Sequence, residues 1–147
     1  MSVSVVGHWE LSWNTPIKEA ELWNLPLRDF GVEDWWMWPV SGIRHNEQKV
    51  RLSERRDLNT ILDHVTNQRV FIEPRGFYDL ESIDLPDFTH PEDVTYIFGS
   101  AHFNPTIGSM GPDDVAVTIP TIGNAGVLWP HQCLVTILYD RMVKSWQ

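Results

Sequence analysis

The chain has 147 residues, 42% of them hydrophobic, and carries 20 acidic against 11 basic side chains for a net charge of -9 at pH 7. This length suits one compact α/β domain over residues 1–147, and no apolar stretch approaches the roughly 18 residues that a membrane span requires. The acidic balance excludes a general attraction to phosphates, so nucleic acid is a partner only if basic residues cluster locally.

The N-terminus has no basic region followed by a long apolar core, so we expect mature structure from the first residue and not a secretory signal. The single cysteine, Cys133, cannot form an internal disulfide and falls within the apolar pattern of the last helix. We interpret it as a small core residue, with a reactive thiol as the alternative, in a cytoplasmic protein.

The pattern along the first two thirds of the chain predicts alternating strands and helices. Residues 2–6 are rich in β-branched side chains and predict a strand. Asn14 or Thr15 followed by Pro16 predicts the start of a helix, with Pro26 as a kink or stop. The same reasoning predicts strands over residues 34–40 and 69–73, a helix over 53–65, and polar connections over 41–52 and 78–92.

Two short apolar runs in the last third predict buried parallel strands. Residues 94–98 end at Gly99 and residues 115–119 end at Pro120, and both of these residue types break strands. A helical pattern follows. Because the carboxyl ends of parallel strands meet at one edge of a sheet, we expect the loops after both strands to lie together.

Basic residues do cluster in one segment. Five of the 11 positive charges and one histidine fall within 13 residues, namely Arg44, His45, Lys49, Arg51, Arg55 and Arg56. The cluster fits equally a solvated loop leading into a helix and a patch that contacts RNA phosphates. The chain also has eight tryptophans, more than one core of this size usually holds. Some are therefore expected at a subunit interface or on a base-stacking surface.

Several other chemistries find no support in the sequence. It contains no glycine-rich phosphate loop with Lys-Ser/Thr, no paired-cysteine zinc spacing and no His-Glu-x-x-His motif. The six histidines show no ligand spacing on one element, so no metal site is expected.

Four segments in the last third carry a resemblance to a known family. They read Phe98-Gly99-Ser100-Ala101, Ile119-Pro120-Thr121, Val127-Leu128-Trp129 and Ile137-Leu138-Tyr139-Asp140. In order and spacing the chain resembles the SPOUT methyltransferases, specifically the SpoU-like (TrmH-like) branch that methylates ribose 2'-hydroxyls in tRNA and rRNA. The resemblance implies an α/β fold, a parallel sheet flanked by helices, with a C-terminal trefoil knot.

The resemblance also implies S-adenosylmethionine as cofactor, held mainly by backbone groups of neighbouring loops. By position, the cofactor-binding residues are Pro74, Gly76, Phe98, Gly99, Ser100, Ile119, Thr121, Gly123, Gly126, Val127 and Leu128. Among them, Gly99 permits a sharp turn and a close approach of the backbone to a ligand.

The catalytic side chains of the family are only partly matched. Asn14 matches a family Asn, although it also fits a plain helix cap, while the family Arg six residues later is Ala20, which leaves Lys18 as a nearby cation. The family Glu is replaced by Ala101. His102 and His131 lie close to the substituted positions and are candidates for a base near neutral pH.

These observations lead to a main hypothesis and two alternatives. The main one is a homodimeric RNA 2'-O-methyltransferase whose last helix packs against its partner through Leu134, Ile137, Leu138, Met142 and Trp146. One alternative is a protein that keeps the fold and binds S-adenosylmethionine or a partner without methylating RNA. The other is a methyltransferase for a non-RNA acceptor.

Overall fold

A computed structural model describes residues 1–8, 16–38, 50–52, 58–73, 81–99, 109–123 and 128–147, with the side chains of residues 16–18, 20, 50–52 and 60 outside that description. These residues form seven strands and three α-helices. In chain order they are β1 Ser2–His8, α1 Pro16–Asp29, β2 Asp34–Trp38, β3 Val50–Leu52, α2 Leu58–Asp63, β4 Gln68–Ile72, β5 Ile83–Asp84, β6 Asp93–Phe98, β7 Val115–Thr118 and α3 Pro130–Ser145.

The strands form one sheet in the order β3-β2-β1-β6-β4-β7-β5, and every neighbouring pair is parallel. The predicted α/β architecture with a parallel sheet is therefore confirmed. The loops that would form the predicted trefoil knot include residues 100–108 and 124–127, which lie outside the described part of the chain. No helix among the described residues is long and apolar enough to cross a membrane.

Both faces of the sheet are buried, which explains why its strands read as continuous apolar runs. Consecutive residues alternate between two clusters: Val70 packs with α1 and α3 on one face, while Phe71 packs with α2 on the other. Tryptophans contribute to both clusters, since Trp23 belongs to the first and Trp38 to the second, and both are fully buried. We refer to these sides as the α1/α3 face and the α2 face.

Helix α1 continues through Pro26 and ends in a glycine turn. Pro26 was predicted as a kink or a stop, and of these two the stop is wrong, since a last turn follows Pro26 up to Asp29. At the C-terminus Gly31 adopts φ 73°, its N–H donates to the carbonyl of Arg28, and the N–H of Val32 donates to the carbonyl of Leu27. These two bonds satisfy carbonyls that the helix end would otherwise leave without a donor.

Two short strands lie in segments predicted as connections. Strand β3 pairs with β2 at one edge of the sheet, and β5 pairs with β7 at the other. Strand β3 has three residues and β5 has two, which is too few for the alternation of apolar and polar residues that identifies a strand in sequence. The predicted helix over 53–65 is observed as α2, Leu58–Asp63, with residues 53–57 outside the described part of the chain.

Helix α3 buries much of its apolar surface against the rest of the chain. Leu134, Ile137 and Leu138 are buried in the core of the α1/α3 face, so the expectation that they face a second subunit is wrong. Of the other two predicted residues, Met142 is half-buried and Trp146, directly after the helix, is 69% exposed. Within the helix the exposed apolar side chains are Val135 and Tyr139, at 42% and 55% exposure, one turn apart.

Candidate functional site

The carboxyl ends of three central strands lie side by side. Strand β4 runs between β6 and β7, because Ile72 pairs with Phe98 on one side and with Val117 on the other. Beyond the strand, the N–H of Glu73 still donates to the carbonyl of Val117 at 2.9 Å. The chain therefore leaves the sheet after Phe98 and after Thr118 at one edge, as expected from the sequence.

Four residues continue the pairing as a row across this edge. Phe98 of β6, Ile72 of β4 and Val117 of β7 lie side by side in the sheet. The residues that directly follow them are Gly99, Glu73 and Thr118. On the other side of β6, Val6 of β1 pairs with Ile97, and two positions further along these strands lie His8 and Gly99. We call His8, Gly99, Glu73 and Thr118 the edge row.

The edge row lies on the α2 face of the sheet. Side chains alternate along a strand, so Glu73 shares the side of Phe71, and His8 shares the side of Val6, both of which pack with α2. Glu73 and His8 are each 5% exposed and Thr118 is 1% exposed. The ring of His8 also meets Trp38 edge to face, with ring centroids 4.6 Å apart.

The hydroxyl of Thr118 makes no hydrogen bond within the described part of the chain, although it is buried. Such a group costs about 1–3 kcal/mol when it has no partner. Neighbouring positions in the row carry a carboxylate at Glu73 and bare backbone at Gly99. The edge therefore places buried hydrogen-bonding groups at the carboxyl ends of neighbouring parallel strands, where α/β sheets bind polar ligands.

The predicted cofactor loops begin at this edge, but their side chains play different parts. Phe98 is a core residue, 1% exposed, whose ring packs edge to face on Trp23 with centroids 5.8 Å apart. Its side chain therefore does not line a pocket, and only its backbone is available there. After β7, Ile119 packs partly on the core, while Thr121 is exposed and donates its hydroxyl hydrogen to the carbonyl of Gly123 at 3.1 Å.

Helix α3 begins with a half capping box. The N–H of Trp129 donates to Oε1 of Gln132 at 2.9 Å, and Pro130 occupies the first helical position. The reciprocal bond of a full box needs a side-chain acceptor at the cap, which an indole does not provide. Leu128, a predicted cofactor residue, precedes the cap, and its carbonyl accepts a weak bond from Sγ of Cys133 at 3.9 Å.

His131 lies in the first turn of α3 beside Trp129. The two rings are nearly parallel, with an interplanar angle of 4° and centroids 6.5 Å apart. Burial lowers the pKa of His131 below its ordinary value. The imidazole is therefore mostly neutral at pH 7, which is the form that accepts a proton. Trp129 itself is 37% exposed and does not belong to the core.

The remaining predicted site residues are less completely placed. Lys18 lies in the first turn of α1 and Arg51 in the edge strand β3, each with only its backbone described. The others lie outside the described residues, namely Asn14, Arg44, His45, Lys49, Arg55, Arg56, Pro74, Gly76, Ser100, His102, Gly126 and Val127.

Three members of the edge row were not predicted as site residues, although the sequence carries a signal for them. His8, Glu73 and Thr118 are each the first polar residue at the end of an apolar strand run. That position is where α/β sheets place ligand-binding groups. Among the described residues, no group of three or more His, Cys, Asp or Glu side chains is arranged to hold a metal ion.

A second polar cluster lies towards the opposite edge, beside a groove of about 750 Å³ lined by residues before β6 and by the second half of α3. Nδ1 of His90 lies 2.7 Å from the hydroxyl of Tyr96, and Nε2 lies 2.7 Å from Oδ2 of Asp140. Arg141 donates to the Tyr96 hydroxyl at 3.2 Å, and Lys144 lies 2.9 Å from Asp140. Each charged group already has a partner, so the cluster ties α3 to the sheet.

No protein-family model and no curated protein sequence matches the chain. Solved structures do match. An RNA 2'-O ribose methyltransferase superposes with a TM-score of 0.74 at 13% identity, over 99% of this chain and 57% of that chain. A protein studied for the 2-OH methylation of C/U34 on tRNA superposes with a TM-score of 0.71 at 13% identity, over 99% of this chain and 92% of that chain.

An AdoMet-bound rRNA methyltransferase from Sinorhizobium meliloti superposes with a TM-score of 0.62 at 12% identity, over 97% of this chain and 56% of that chain. The chain thus spans a little over half the length of two of these three proteins. Identities this low establish the fold alone. The chain has the parallel α/β fold of the SpoU-like RNA methyltransferases, as the resemblance of its last third predicted.

Proposed function

We propose that this chain, which has the fold of RNA 2'-O ribose methyltransferases, is an S-adenosylmethionine-dependent enzyme that methylates ribose 2'-hydroxyls of tRNA or rRNA. The observation that carries the proposal is the superposition of 99% of this chain on 92% of a protein studied for 2-OH methylation of tRNA. The match leaves little of either chain unpaired, so the proposed active unit is residues 1–147 as one domain, acting in the cytoplasm.

The carboxyl edge of the sheet suits the cofactor. The buried Thr118 hydroxyl has no hydrogen-bond partner within the described residues. Gly99 lies two strands away in the same edge row and brings no side chain to it. Backbone groups of Gly99, Ile119 to Gly123 and Leu128 would hold S-adenosylmethionine, together with Pro74, Gly76, Ser100, Gly126 and Val127. When bound, the cofactor supplies a methyl group on a sulfonium, which a hydroxyl oxygen attacks.

The protein's own contribution is to align the two reactants and to accept the hydroxyl proton. His131 is our candidate for the acceptor at the start of α3, since burial lowers its pKa and keeps the imidazole neutral. Asn14, Lys18 and His102 are proposed to position the ribose hydroxyl. The chain lacks the family Arg and Glu at Ala20 and Ala101, so a neutral imidazole replaces part of the usual polar set.

RNA and a second copy of the chain are the proposed partners. The basic segment at 44–56 would contact phosphates in a protein that is otherwise acidic. Dimerisation would use the exposed apolar side chains of α3, Val135 and Tyr139. Leu22 and Leu25 are exposed on α1, the helix that contacts α3, and could extend the interface. The trefoil knot of the family is part of the same proposal.

One observation favours a second candidate function, in which the chain binds the cofactor without methylating RNA. The family Asn that opens the last helix is Trp129, and its large indole lies at the entrance to α3 and stacks against His131. Such a protein would still bind S-adenosylmethionine but would not transfer its methyl group to RNA.

Calorimetric titration with S-adenosylmethionine and with S-adenosylhomocysteine, followed by methyl transfer from labelled cofactor to tRNA and rRNA, tests both candidates. Micromolar binding together with ribose methylation is the expected result. Binding without methylation of any RNA would favour the second candidate. No binding of either ligand would overturn the proposal.

A further inference from the structure

A groove lies at the amino ends of the central strands, on the side of the sheet edge away from the edge row. Its volume is about 750 Å³, and its lining comes from the end of α1, the segment between β5 and β6, and the second half of α3. Val3 near the start of β1 and Glu92 directly before β6 also line it. We call it the amino-end groove. Its volume falls within the roughly 300–1,000 Å³ that is typical of ligand pockets.

Apolar side chains line part of the amino-end groove and are incompletely buried. Val3 and Phe30 pack partly on the core of the α1/α3 face, Met142 of α3 is half-buried, and Pro86 is exposed. Apolar surface of this kind, with a polar rim, is characteristic of places where another protein binds. The groove therefore favours an occupant that brings apolar side chains of its own.

The two basic side chains in the lining are bonded to the wall of the groove itself. Arg141 donates to the carbonyl of Pro91 at 2.6 Å. Lys144 donates to the carbonyl of Phe88 at 2.8 Å and lies 2.9 Å from Oδ2 of Asp140. The positive charge of Lys144 is thus balanced within the chain, and neither cation is directed at an occupant.

Three acidic side chains in the lining are exposed instead. Asp29 ends α1, Asp87 lies between β5 and β6, and Glu92 directly precedes β6. Within the described part of the chain, none of these carboxylates makes a hydrogen bond or an ion pair. They come from three separate segments, so they suit several cations along one extended occupant better than a single point charge. In a protein of net charge -9 they give the groove a negative potential.

We propose that the amino-end groove is a docking site for a short peptide segment of a partner protein in which apolar side chains are flanked by Lys or Arg. The apolar side chains of this segment would enter the groove, and its cations would pair with Asp29, Asp87 and Glu92. The groove and the proposed cofactor site lie at opposite ends of the strands, so both can be occupied at once. The inference does not rest on the proposed function.

Fluorescence anisotropy with a short fluorescein-labelled peptide in which Leu and Arg alternate measures this binding. We expect wild-type protein to bind this Leu/Arg peptide, and to bind it more weakly as salt is raised, because exposed charges are screened. A peptide with Glu in place of Arg, and another with Ser in place of Leu, should each bind about 10-fold more weakly or less tightly still.

Asp29→Lys combined with Asp87→Lys should weaken binding of the Leu/Arg peptide about 10- to 100-fold. The matched control is Asp63→Lys combined with Asp113→Lys, which changes the net charge equally at two exposed positions outside the groove. It should bind the peptide as wild type does. Circular dichroism checks that both double variants are folded.

Amide chemical shifts of wild-type protein provide a measurement that does not depend on a variant. Adding the Leu/Arg peptide should shift residues 29–32, 86–92 and 138–145, which line or adjoin the groove, and leave α2 unchanged. Shifts located elsewhere, equal losses in the two double variants, or no binding by wild type would each overturn the inference. So would a change from dimer to monomer in the groove variant, because the groove would then be an interface between two copies of this chain.

Discussion

His90 and Asp140, 50 residues apart in the chain, are joined by a 2.7 Å contact between Nε2 and Oδ2 that links the segment before β6 to α3. The surrounding bonds indicate the tautomer. Arg141 donates to the Tyr96 hydroxyl, which then donates to Nδ1 of His90. Nε2 therefore carries the hydrogen and donates to Asp140, and the neutral ring satisfies every partner.

The burial of His90 predicts a loss of stability in mild acid. The pKa of His90 is lowered, first by burial, against the opposing effect of Asp140. The unfolded chain therefore binds the proton more readily, so the stabilising contribution is present above a pH of about 6.5 and is lost as pH falls below that value. Urea unfolding between pH 5 and 8 should show this slope, and His90→Gln should reduce it. The exposed His64→Gln is the control, and an unchanged slope in His90→Gln would contradict the assignment.

Gly7 is predicted to tolerate no side chain. A Cβ at this position would lie 2.6 Å from Sδ of Met37 and 2.8 Å from the ring of Trp23, both fully buried. Gly7→Ala should therefore lower the free energy of unfolding by about 1–3 kcal/mol through overpacking. Gly123→Ala, where a Cβ meets nothing within 4 Å, should change it little. Thermal or urea unfolding measures both, and equal stability of the two variants would refute the packing argument.

Gly99 is predicted to be required for cofactor binding and not for folding. It follows β6 at the edge row, where backbone approaches the proposed ligand. Gly99→Val should abolish binding of S-adenosylmethionine in calorimetry while leaving the circular dichroism spectrum unchanged. Gly111→Ala, at a turn whose Cβ would meet Asp114 at an ordinary 3.5 Å, should bind normally. Tight binding of S-adenosylmethionine by Gly99→Val would show that the cofactor pocket does not lie at this edge.

Cys133 is predicted to be unreactive in the folded protein. Burial raises the pKa of its thiol to about 12, so hardly any thiolate exists at pH 8. A chromogenic disulfide reagent should leave the native protein unmodified over minutes and label one thiol per chain in denaturing urea. Rapid labelling without denaturant would show that the thiol is accessible.

The exposed apolar strip of α3 is predicted to hold the proposed dimer together. Replacing Val135 and Tyr139 by Glu places two charges where apolar contact is expected, and analytical ultracentrifugation should then report a monomer. Ile83→Glu is a matched control, because Ile83 is an apolar side chain of similar exposure on the edge strand β5. A wild-type protein that is monomeric at high concentration would end the dimer proposal.

The main strands were predictable because they are buried on both faces. Residues 70–72 are all apolar and residues 94–98 are apolar except for Thr95, a pattern typical of a central parallel strand. Strands β3 and β5 were not predictable, since a segment of two or three residues at a sheet edge shows no period. Helix α1 continues past Pro26 because the tertiary packing of Leu27 into the core outweighs the helix-breaking tendency of proline.

The candidate site was predictable as a set of loops and not as a set of side chains. The position of Gly99 follows from a strand followed by a glycine. The edge row does not, because it depends on the register between β1, β6, β4 and β7, and their spatial order differs from their order in the chain. Phe98 is a second example of a site residue whose role depends on the three-dimensional arrangement. Gly99, which follows it, lies at the edge, while the ring of Phe98 belongs to the core.

Strand β1 lies in the middle of the sheet, and this has a consequence for synthesis. Its partner β6 is far away in sequence: the bond between the N–H of Ser2 and Asp93 spans 91 residues. During synthesis, β1 must keep the edge that pairs with β6 unpaired until β6 has also been made. Such long-range pairing slows folding and exposes a strand edge in the meantime. We therefore expect β1 to be the segment that most needs protection by a chaperone before β6 is made.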